Sequence, residues 1–126
     1  MKKIITTDKA PAPLGPYNQA ILSGNTLYLS GQIAINPETG RLVLSDITSE
    51  TMQIMQNLKA VLAAAGYTFE DVVKSSIFIV NMDDFSLIND VYGSFFNDEI
   101  APARETVQVA RLPKNVNVEI SMIAEK

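Results

Sequence analysis

Apolar and small residues recur at steps of three and four between Ile47 and Ala65, which is the spacing of one face of an α-helix. Gly66 follows directly, where a glycine commonly ends a helix in a left-handed conformation. The pattern therefore predicts a helix over Ile47–Ala65. Its inner stripe consists of Ile47, Thr51, Ile54, Met55, Leu58, Val61, Leu62 and Ala65.

A second stripe of the same period predicts another helix, from Asp83 to about Asn97. Asp83 is the predicted N-cap, and the pair Asp83 and Asp84 is interpreted as helix capping and not as a metal site. The predicted inner face of this helix consists of Phe85, Ile88, Tyr92 and Phe95.

The remaining apolar runs are short and bounded by turn residues, as in β-strands. Gly24 and Asn25 predict a hairpin turn, and the prolines between residues 10 and 20 predict a loop. Strands are expected over Lys2–Thr7, Ala20–Leu22, Thr26–Ser30, Asp71–Asn81, Glu105–Ala110 and Val116–Ala124.

The resulting order is β-β-β-α-β-α-β-β, which favours an α+β fold with one sheet and both helices on one face. The last strand alternates, with Val118 and Ile120 on one side and Asn117 and Glu119 on the other. The segment Ile77–Val80 is apolar on both faces. We therefore expect a homo-oligomer that buries the second face of the sheet.

The amino-acid composition excludes several classes of function and of catalytic site. The 126 residues suit one domain, 1–126, and the net charge of −4 disfavours binding to nucleic acid phosphates or to an anionic membrane. The chain has no histidine and no cysteine, which excludes a Ser-His-Asp arrangement, a thiol nucleophile and disulfides. No signal peptide or membrane-spanning run is visible, so a cytosolic protein is expected.

Three residues are the strongest candidates for chemistry. Arg104 presents a planar fork of donors that suits a carboxylate, although the alternative is a surface arginine that caps a strand or pairs with Glu105. Glu119 is either a solvated carboxylate or the base that activates a water. Tyr17, in the proline-rich loop, either lines a pocket or packs on the core edge. Glu50, Lys59 and Lys74 are interpreted as ordinary surface charges.

Four stretches, in the same order over nearly the whole chain, resemble the RidA/YjgF family of enamine and imine deaminases. They are APAPLGPYNQA, LSGQIAINPETG, NLKAVLAAAGYTFEDVVKSSIFIVNMDDF and PARETVQVARLPKNVNVEISMIA. The resemblance implies a chorismate-mutase-like fold and a homotrimer with clefts between subunits. It also implies hydrolysis of 2-aminoacrylate or 2-aminocrotonate, or their imine tautomers, to 2-oxo acids and ammonia, with no metal or organic cofactor.

The same resemblance assigns roles to individual residues. Arg104 would clamp the substrate carboxylate, Glu119 would hold the attacking water, and Tyr17 would close the pocket. The remaining pocket residues would be Ser30, Gly31 and Thr106, with Asn89 and Phe85 reaching in from a neighbouring subunit.

Two residues depart from the family pattern. Glu105 and Thr106 stand where deaminating members usually carry Ser-Cys, and strand alternation should point Glu105 away from Arg104. Two other functions stay open: a non-catalytic regulator that binds 2-oxo acids in the same cleft, and an RNA-cleaving protein. The acidic charge and the missing histidine count against the second.

Overall fold

The computed structural model describes residues 1–126, and six strands and two α-helices follow one another in the predicted order. The α+β class is confirmed. The elements are β1 (Lys2–Ile5), β2 (Ala20–Ser23), β3 (Thr26–Gln32), α1 (Ile47–Ala64), β4 (Val72–Ile79), α2 (Phe85–Gly93), β5 (Ala103–Gln108) and β6 (Val118–Glu125).

All six strands form one mixed sheet, in the order β1-β2-β3-β6-β4-β5. Only β4 and β5 pair in parallel, and α2 connects them. The last strand of the chain, β6, therefore lies inside the sheet between β3 and β4, with antiparallel partners on both sides. In contrast, β5 is an edge strand that pairs with β4 alone.

One apolar core joins both helices to one face of the sheet. The predicted alternation of β6 is confirmed, since Val118, Ile120, Met122 and Ala124 are buried in this core and the residues between them are not. The buried residues of α1 repeat at the predicted helical spacing. Neither helix is both long and apolar enough to cross a membrane.

The other face of the sheet carries no helix. Paired positions on four neighbouring strands form an apolar row of Ile4, Ile21, Tyr28 and Ile123. Tyr28 is 50% exposed in the single chain and Ile4 54%. A smaller cluster of Ile33, Ile35, Leu112 and Val116 lies apart from the main core and contacts Phe78 and Val80.

The start of the second helix differs from the prediction. Asp83 is not its N-cap: the side chain of Asn81 accepts a hydrogen bond from the Asp83 N–H at 2.9 Å, and a 3-10 turn over Met82–Asp84 precedes α2. Asp84 makes no side-chain capping bond either. An amide oxygen caps as well as a carboxylate does, so the pattern alone could not choose between them.

The end of the second helix is also earlier than predicted, at Gly93 and not near Asn97. Phe95 lies beyond the helix, and its ring centroid is 5.3 Å from that of Phe69. The aromatic contact is therefore made by a segment outside α2, although the sequence period continues into it.

We predict that Gly66→Ala lowers the free energy of unfolding by about 1 kcal/mol, because Gly66 has φ 79° and open space around its Cα. The strain would come from the backbone alone. Gly93→Ala is the matched control, since it also meets no atom but lies in α2 without a positive φ, and it should stabilise by about 0.5 kcal/mol. Urea denaturation of both variants checks the prediction, and equal effects would contradict it.

Candidate functional site

Arg104 is held in place by one face of α2. It lies in β5 opposite Ser75 of β4, so its side chain is on the helix side of the sheet. Its Nη1 donates to Asn89 Oδ1 at 2.7 Å. Its guanidinium carbon lies 5.7 Å from the ring centroid of Phe85 and 5.1 Å from that of Tyr92. Stacking and one hydrogen bond thus orient the fork and leave its other donors unpaired.

Tyr92 is a site residue that sequence reasoning assigned only to the core. Its hydroxyl donates to Ser75 Oγ at 2.8 Å, and its ring supports Arg104. Burial raises the pKa of Tyr92, although the Ser75 hydrogen bond and the Arg104 charge oppose the shift. The spacing of Phe85, Asn89 and Tyr92 places all three on one helix face. This spacing is the feature of the sequence that could have associated Tyr92 with the two predicted site residues.

Glu105 does not compete for Arg104. Its Oε1 lies 2.8 Å from Lys74 Nζ, and its other oxygen accepts from the Ser76 hydroxyl. The Lys74 and Ser76 hydrogen bonds hold the pKa of Glu105 below its usual value. The predicted alternation is confirmed, and the alternative pairing of Arg104 with Glu105 is wrong. Lys74 is likewise more than an isolated surface charge.

Thr106 lies on the same side of β5 as Arg104, two residues further along the strand and opposite Ile77. Its hydroxyl oxygen is buried and has no hydrogen-bond partner in the chain. A buried hydroxyl without a partner loses its hydration and gains nothing in return, which is unusual in a folded protein. Thr106 therefore places an unsatisfied hydroxyl on the same side of β5 as Arg104.

Glu119 lies on the opposite face of the sheet. It is opposite Phe78 of β4 and forms no hydrogen bond or ion pair. A side chain at Gly31 would collide with its carboxylate, since an added Cβ would lie 2.9 Å from Glu119 Cδ. Burial raises the pKa of Glu119. The glycine therefore leaves room for an uncommitted, half-buried carboxylate.

Tyr17 and Gly31 line one pocket, whose other walls are Pro11, Ala12, Pro13, Leu14, Gln19, Gln32, Ile33 and Ile35. The Tyr17 ring is 46% exposed, and its hydroxyl accepts from the Leu14 N–H at 3.1 Å. Ser30 is near in sequence but donates its hydroxyl to the Asn18 carbonyl at 2.6 Å. The role of the Ser30 side chain in this structure is therefore to hold the Tyr17 loop.

Gln19 anchors the same loop and was missed by the sequence reasoning. Its buried side chain accepts from the Thr7 N–H at 2.7 Å and donates to the Thr7, Ala10 and Pro11 carbonyls. The loop has few hydrogen bonds of its own, because proline lacks an N–H. The sequence shows a glutamine between a proline-rich loop and a strand, but this position does not reveal its burial or its hydrogen-bond partners.

Glu50 is not a surface charge, contrary to the sequence interpretation. It is fully buried in the first turn of α1 and accepts hydrogen bonds from Asn117 and Val118 at the start of β6. Lys59, in contrast, is exposed as expected. Glutamate is common in the first turn of surface helices, so the sequence pattern did not indicate that Glu50 is buried.

The predicted site residues, together with Tyr92, thus form two separate groups within one chain. The arginine group consists of Phe85, Asn89, Tyr92, Arg104 and Thr106, and the glutamate group of Tyr17, Ser30, Gly31 and Glu119. The groups lie on opposite faces of the sheet, so the chain does not itself bring Arg104 and Glu119 together. Asn89 and Phe85, expected from a neighbouring subunit, contact Arg104 of their own chain. No group of three or more His, Cys, Asp or Glu side chains is arranged to hold a metal ion.

Comparison with known proteins places this arrangement in a family. The family model described as Endoribonuclease L-PSP matches residues 7–126. A 2-iminobutanoate/2-iminopropanoate deaminase of Dermatophagoides farinae is 52% identical over 97% of the chain and 94% of its own length. The chain belongs to the RidA/YjgF family. A RutC family protein of Pyrococcus horikoshii is 49% identical, over 100% of this chain and 99% of its own.

A solved structure supports the same assignment. A protein of the conserved Rid family from Yersinia pestis has a TM-score of 0.96 and 48% identity, over the full length of both chains. The resemblance inferred from the sequence motifs is therefore confirmed, and so is the YjgF-like α+β sheet. In this RidA/YjgF protein, all residues of the two groups except Asn89 and Tyr92 lie in the sequence motifs from which the family was inferred.

We predict opposite pH effects on stability for two carboxylates of this family member. The raised pKa of Glu119 means that the folded protein holds this proton more tightly than the unfolded chain, so stability falls as pH rises through that pKa. Glu119→Gln has no carboxyl group to ionise, so this fall in stability with rising pH does not occur in the variant. The variant should therefore be more stable than wild type at pH 7, by roughly 0.5 kcal/mol after allowance for solvent screening, and equal to it at low pH.

Glu105→Gln is the matched control on the same face of the sheet. The lowered pKa of Glu105 contributes stability above the unfolded carboxyl pKa, and this is lost as pH falls through the folded value. This variant should be less stable than wild type at pH 7, and the difference should disappear in acid. Thermal denaturation from pH 3 to 8 tests both; a destabilised Glu119→Gln at neutral pH would contradict the desolvation argument.

Proposed function

We propose that this protein hydrolyses imines that carry a carboxylate, of the 2-aminoacrylate and 2-aminocrotonate class, to 2-oxo acids and ammonia. The observation that carries the proposal is that both reactive groups are uncommitted: Arg104 keeps free donors and Glu119 has no partner. A stacked guanidinium suits a carboxylate, and a desolvated glutamate with a raised pKa is a stronger base than a solvated one. The deaminase name of the Dermatophagoides relative supports the same reaction.

We further propose that the site forms between subunits of a homotrimer. The arginine and glutamate groups lie on opposite sheet faces, so a shared ligand requires groups from two chains. Packing against another subunit would bury the apolar row of the uncovered face, which consists of Ile4, Ile21, Tyr28 and Ile123. In this arrangement Arg104, Asn89 and Thr106 of one chain face Tyr17, Gly31 and Glu119 of another.

The reaction needs a positioned water and a carboxylate that relays the two protons of that water to the nitrogen. Arg104 binds the substrate carboxylate and places the imine carbon near Glu119. Glu119 takes a proton from water as the oxygen bonds to that carbon, and the former C=N electrons go to nitrogen, which receives this proton from Glu119. Glu119 then takes the hydroxyl proton of the resulting carbinolamine as the C=O bond forms and the C–N bond breaks. That second proton passes from Glu119 to the departing nitrogen, so ammonia leaves and the 2-oxo acid remains.

RNA cleavage has less support, although the description of the family model names an endoribonuclease. The net charge of −4 opposes contact with a polyanion, and the chain has no histidine to act as an acid or base. Arg104 is instead suited to the carboxylate of a small molecule, and Glu119 to proton transfer. A salt-sensitive affinity for RNA would be the result that revives this activity.

The deciding experiment generates 2-aminocrotonate with a threonine dehydratase and traps its imine with semicarbazide. The wild-type protein, at catalytic concentration, should lower the trapped product by diverting the imine to 2-oxobutanoate. If trapping is unchanged, the deaminase proposal fails for this substrate class. Binding of 2-oxobutanoate by the inactive protein would then favour the regulatory function.

We predict distinct effects for the two reactive residues. Glu119→Gln should lower kcat by about 10²–10³-fold, as expected when a general base is removed. Arg104→Lys should lower kcat/KM by about 10²-fold, because a point charge does not reproduce the planar fork. For wild type, kcat/KM should rise with pH through the raised pKa of Glu119, which must be ionised to accept the proton. Near-normal turnover by Arg104→Lys would count against a two-bond clamp.

We predict that mixed subunits restore activity if the site spans two chains. Arg104→Ala and Glu119→Ala proteins, each inactive alone, would be unfolded together at equal amounts and refolded. In a cyclic assembly about a quarter of the clefts would receive both intact groups, so activity should recover to about a quarter of wild type. Separate refolding followed by mixing on ice is the control. No recovery in correctly sized mixed assemblies would place both groups in one chain's site.

A further inference from the structure

Glu50 is a buried carboxylate without a cation. It is fully buried in the first turn of α1, and the protein's one ion pair joins Lys74 to Glu105 elsewhere. An isolated buried charge is strongly unfavourable unless hydrogen bonds replace its water. The helix N-terminus contributes favourably, since its partial positive charge lies near the carboxylate.

The hydrogen bonds that Glu50 accepts all come from the start of β6. Oε2 accepts from the Asn117 N–H at 2.8 Å and from the Val118 N–H at 3.1 Å. Oε1 accepts from Asn117 Nδ2 at 2.8 Å. The Asn117 carbonyl in turn accepts from the Val80 N–H at 3.1 Å. The residue that leads into β6 is therefore fixed from both the helix and the sheet.

The turn before this point is strained. Lys114 and Asn115 have φ values of 56° and 55°, in the left-handed region that non-glycine residues rarely adopt. Each such residue costs about 1 kcal/mol. A turn that tends to relax does not by itself set where the next strand begins. The three hydrogen bonds to Glu50 supply that constraint.

Glu119 follows Val118 directly and depends on this backbone for its position. Its own carboxylate forms no hydrogen bond, and it fits against Gly31 with no space to spare. We propose that Glu50 is a positioning residue for Glu119: it fixes the entry of β6 so that the Glu119 carboxylate lies beside Gly31. The catalytic consequence of this inference rests on the proposed deaminase function; the structural consequence does not.

The effect on catalysis should be selective. Glu50 binds the start of β6, whereas Arg104 is on the edge strand β5 and is held by Phe85, Asn89 and Tyr92 of α2. Loss of the Glu50 contacts should therefore disturb proton transfer and leave carboxylate binding largely intact. In kinetic terms, kcat should change and KM should not.

The kinetic test compares three variants in the semicarbazide assay. Glu50→Ala should lower kcat by about 10–100-fold with KM within about threefold of wild type. Glu50→Gln should keep kcat within about threefold, because the amide oxygen can accept both backbone N–H groups and a flipped Asn117 amide can accept from the new NH2 group. Leu62→Ala, a buried change further along α1, controls for lost stability and should keep wild-type kcat once folded.

A second measurement does not need enzyme activity. The side-chain carboxyl carbon of Glu119 can be followed by NMR during a pH titration of each assembled variant. Glu50→Ala should bring the pKa of Glu119 toward its ordinary value, whereas Glu50→Gln and Leu62→Ala should leave it raised. If the wild-type protein shows no deaminase activity, the proposed function is overturned. If the three variants nevertheless show these pKa values for Glu119, the positioning role of Glu50 is supported.

The positioning role is overturned if folded Glu50→Ala keeps the wild-type pKa of Glu119, whatever its kcat. It is also overturned if Leu62→Ala lowers kcat as much as Glu50→Ala does. Should Glu50→Ala fail to fold, Asn117→Ala replaces it, since this change removes one of the three hydrogen bonds. We expect it to lower kcat by about 3–10-fold and to shift the pKa of Glu119 in the same direction.

Discussion

The two-residue period of a β-strand is the constraint on which the rest of this molecule depends. In β6 it buries Val118 and Ile120 against the helices and turns Glu119 to the uncovered face. In β5 it turns Arg104 toward α2 and Glu105 toward Lys74. Because a slip of one residue would exchange these faces, strand register determines the core and the reactive groups together. Fixing the start of β6 is therefore a condition of both folding and chemistry.

Much of the fold could be predicted from the spacing of apolar residues along the sequence. The stripe of α1 and the alternation of β6 run without interruption, so hydrophobic burial alone determined their type and nearly their bounds. The ends of α2 could not be read in this way. Asn81 and Asp83 are both good caps, and Phe95 continues the helical spacing while packing on Phe69 from outside the helix. Such choices depend on contacts between distant segments, which a local pattern does not contain.

The candidate site also contains residues that the sequence could identify and residues that only distant contacts reveal. Residue type and strand alternation were enough to single out Arg104 and Glu119 and to direct Glu105 elsewhere. They could not reveal that Tyr92 supports Arg104, that Gln19 holds the Tyr17 loop, or that Glu50 is buried. Each of these side chains acts through partners at least eight residues away in the sequence. Sequence reasoning identified the groups with distinctive chemistry and missed those that orient them.

In the reaction that we propose, the lack of histidine gives the task of the base to a residue of the sheet. A glutamate at its ordinary pKa is a weak base at neutral pH, and the usual residue for that task is absent from this chain. Glu119 is made more basic by burial and not by a charged neighbour, since desolvation is the cause of its raised pKa. The place of its carboxylate depends on Gly31, since an added Cβ there would collide with it. In the trimer that we propose, a second subunit would cover this face and deepen the desolvation of Glu119 as well as supply Arg104, so that one packing event would complete the proposed site and raise the basicity of its base further.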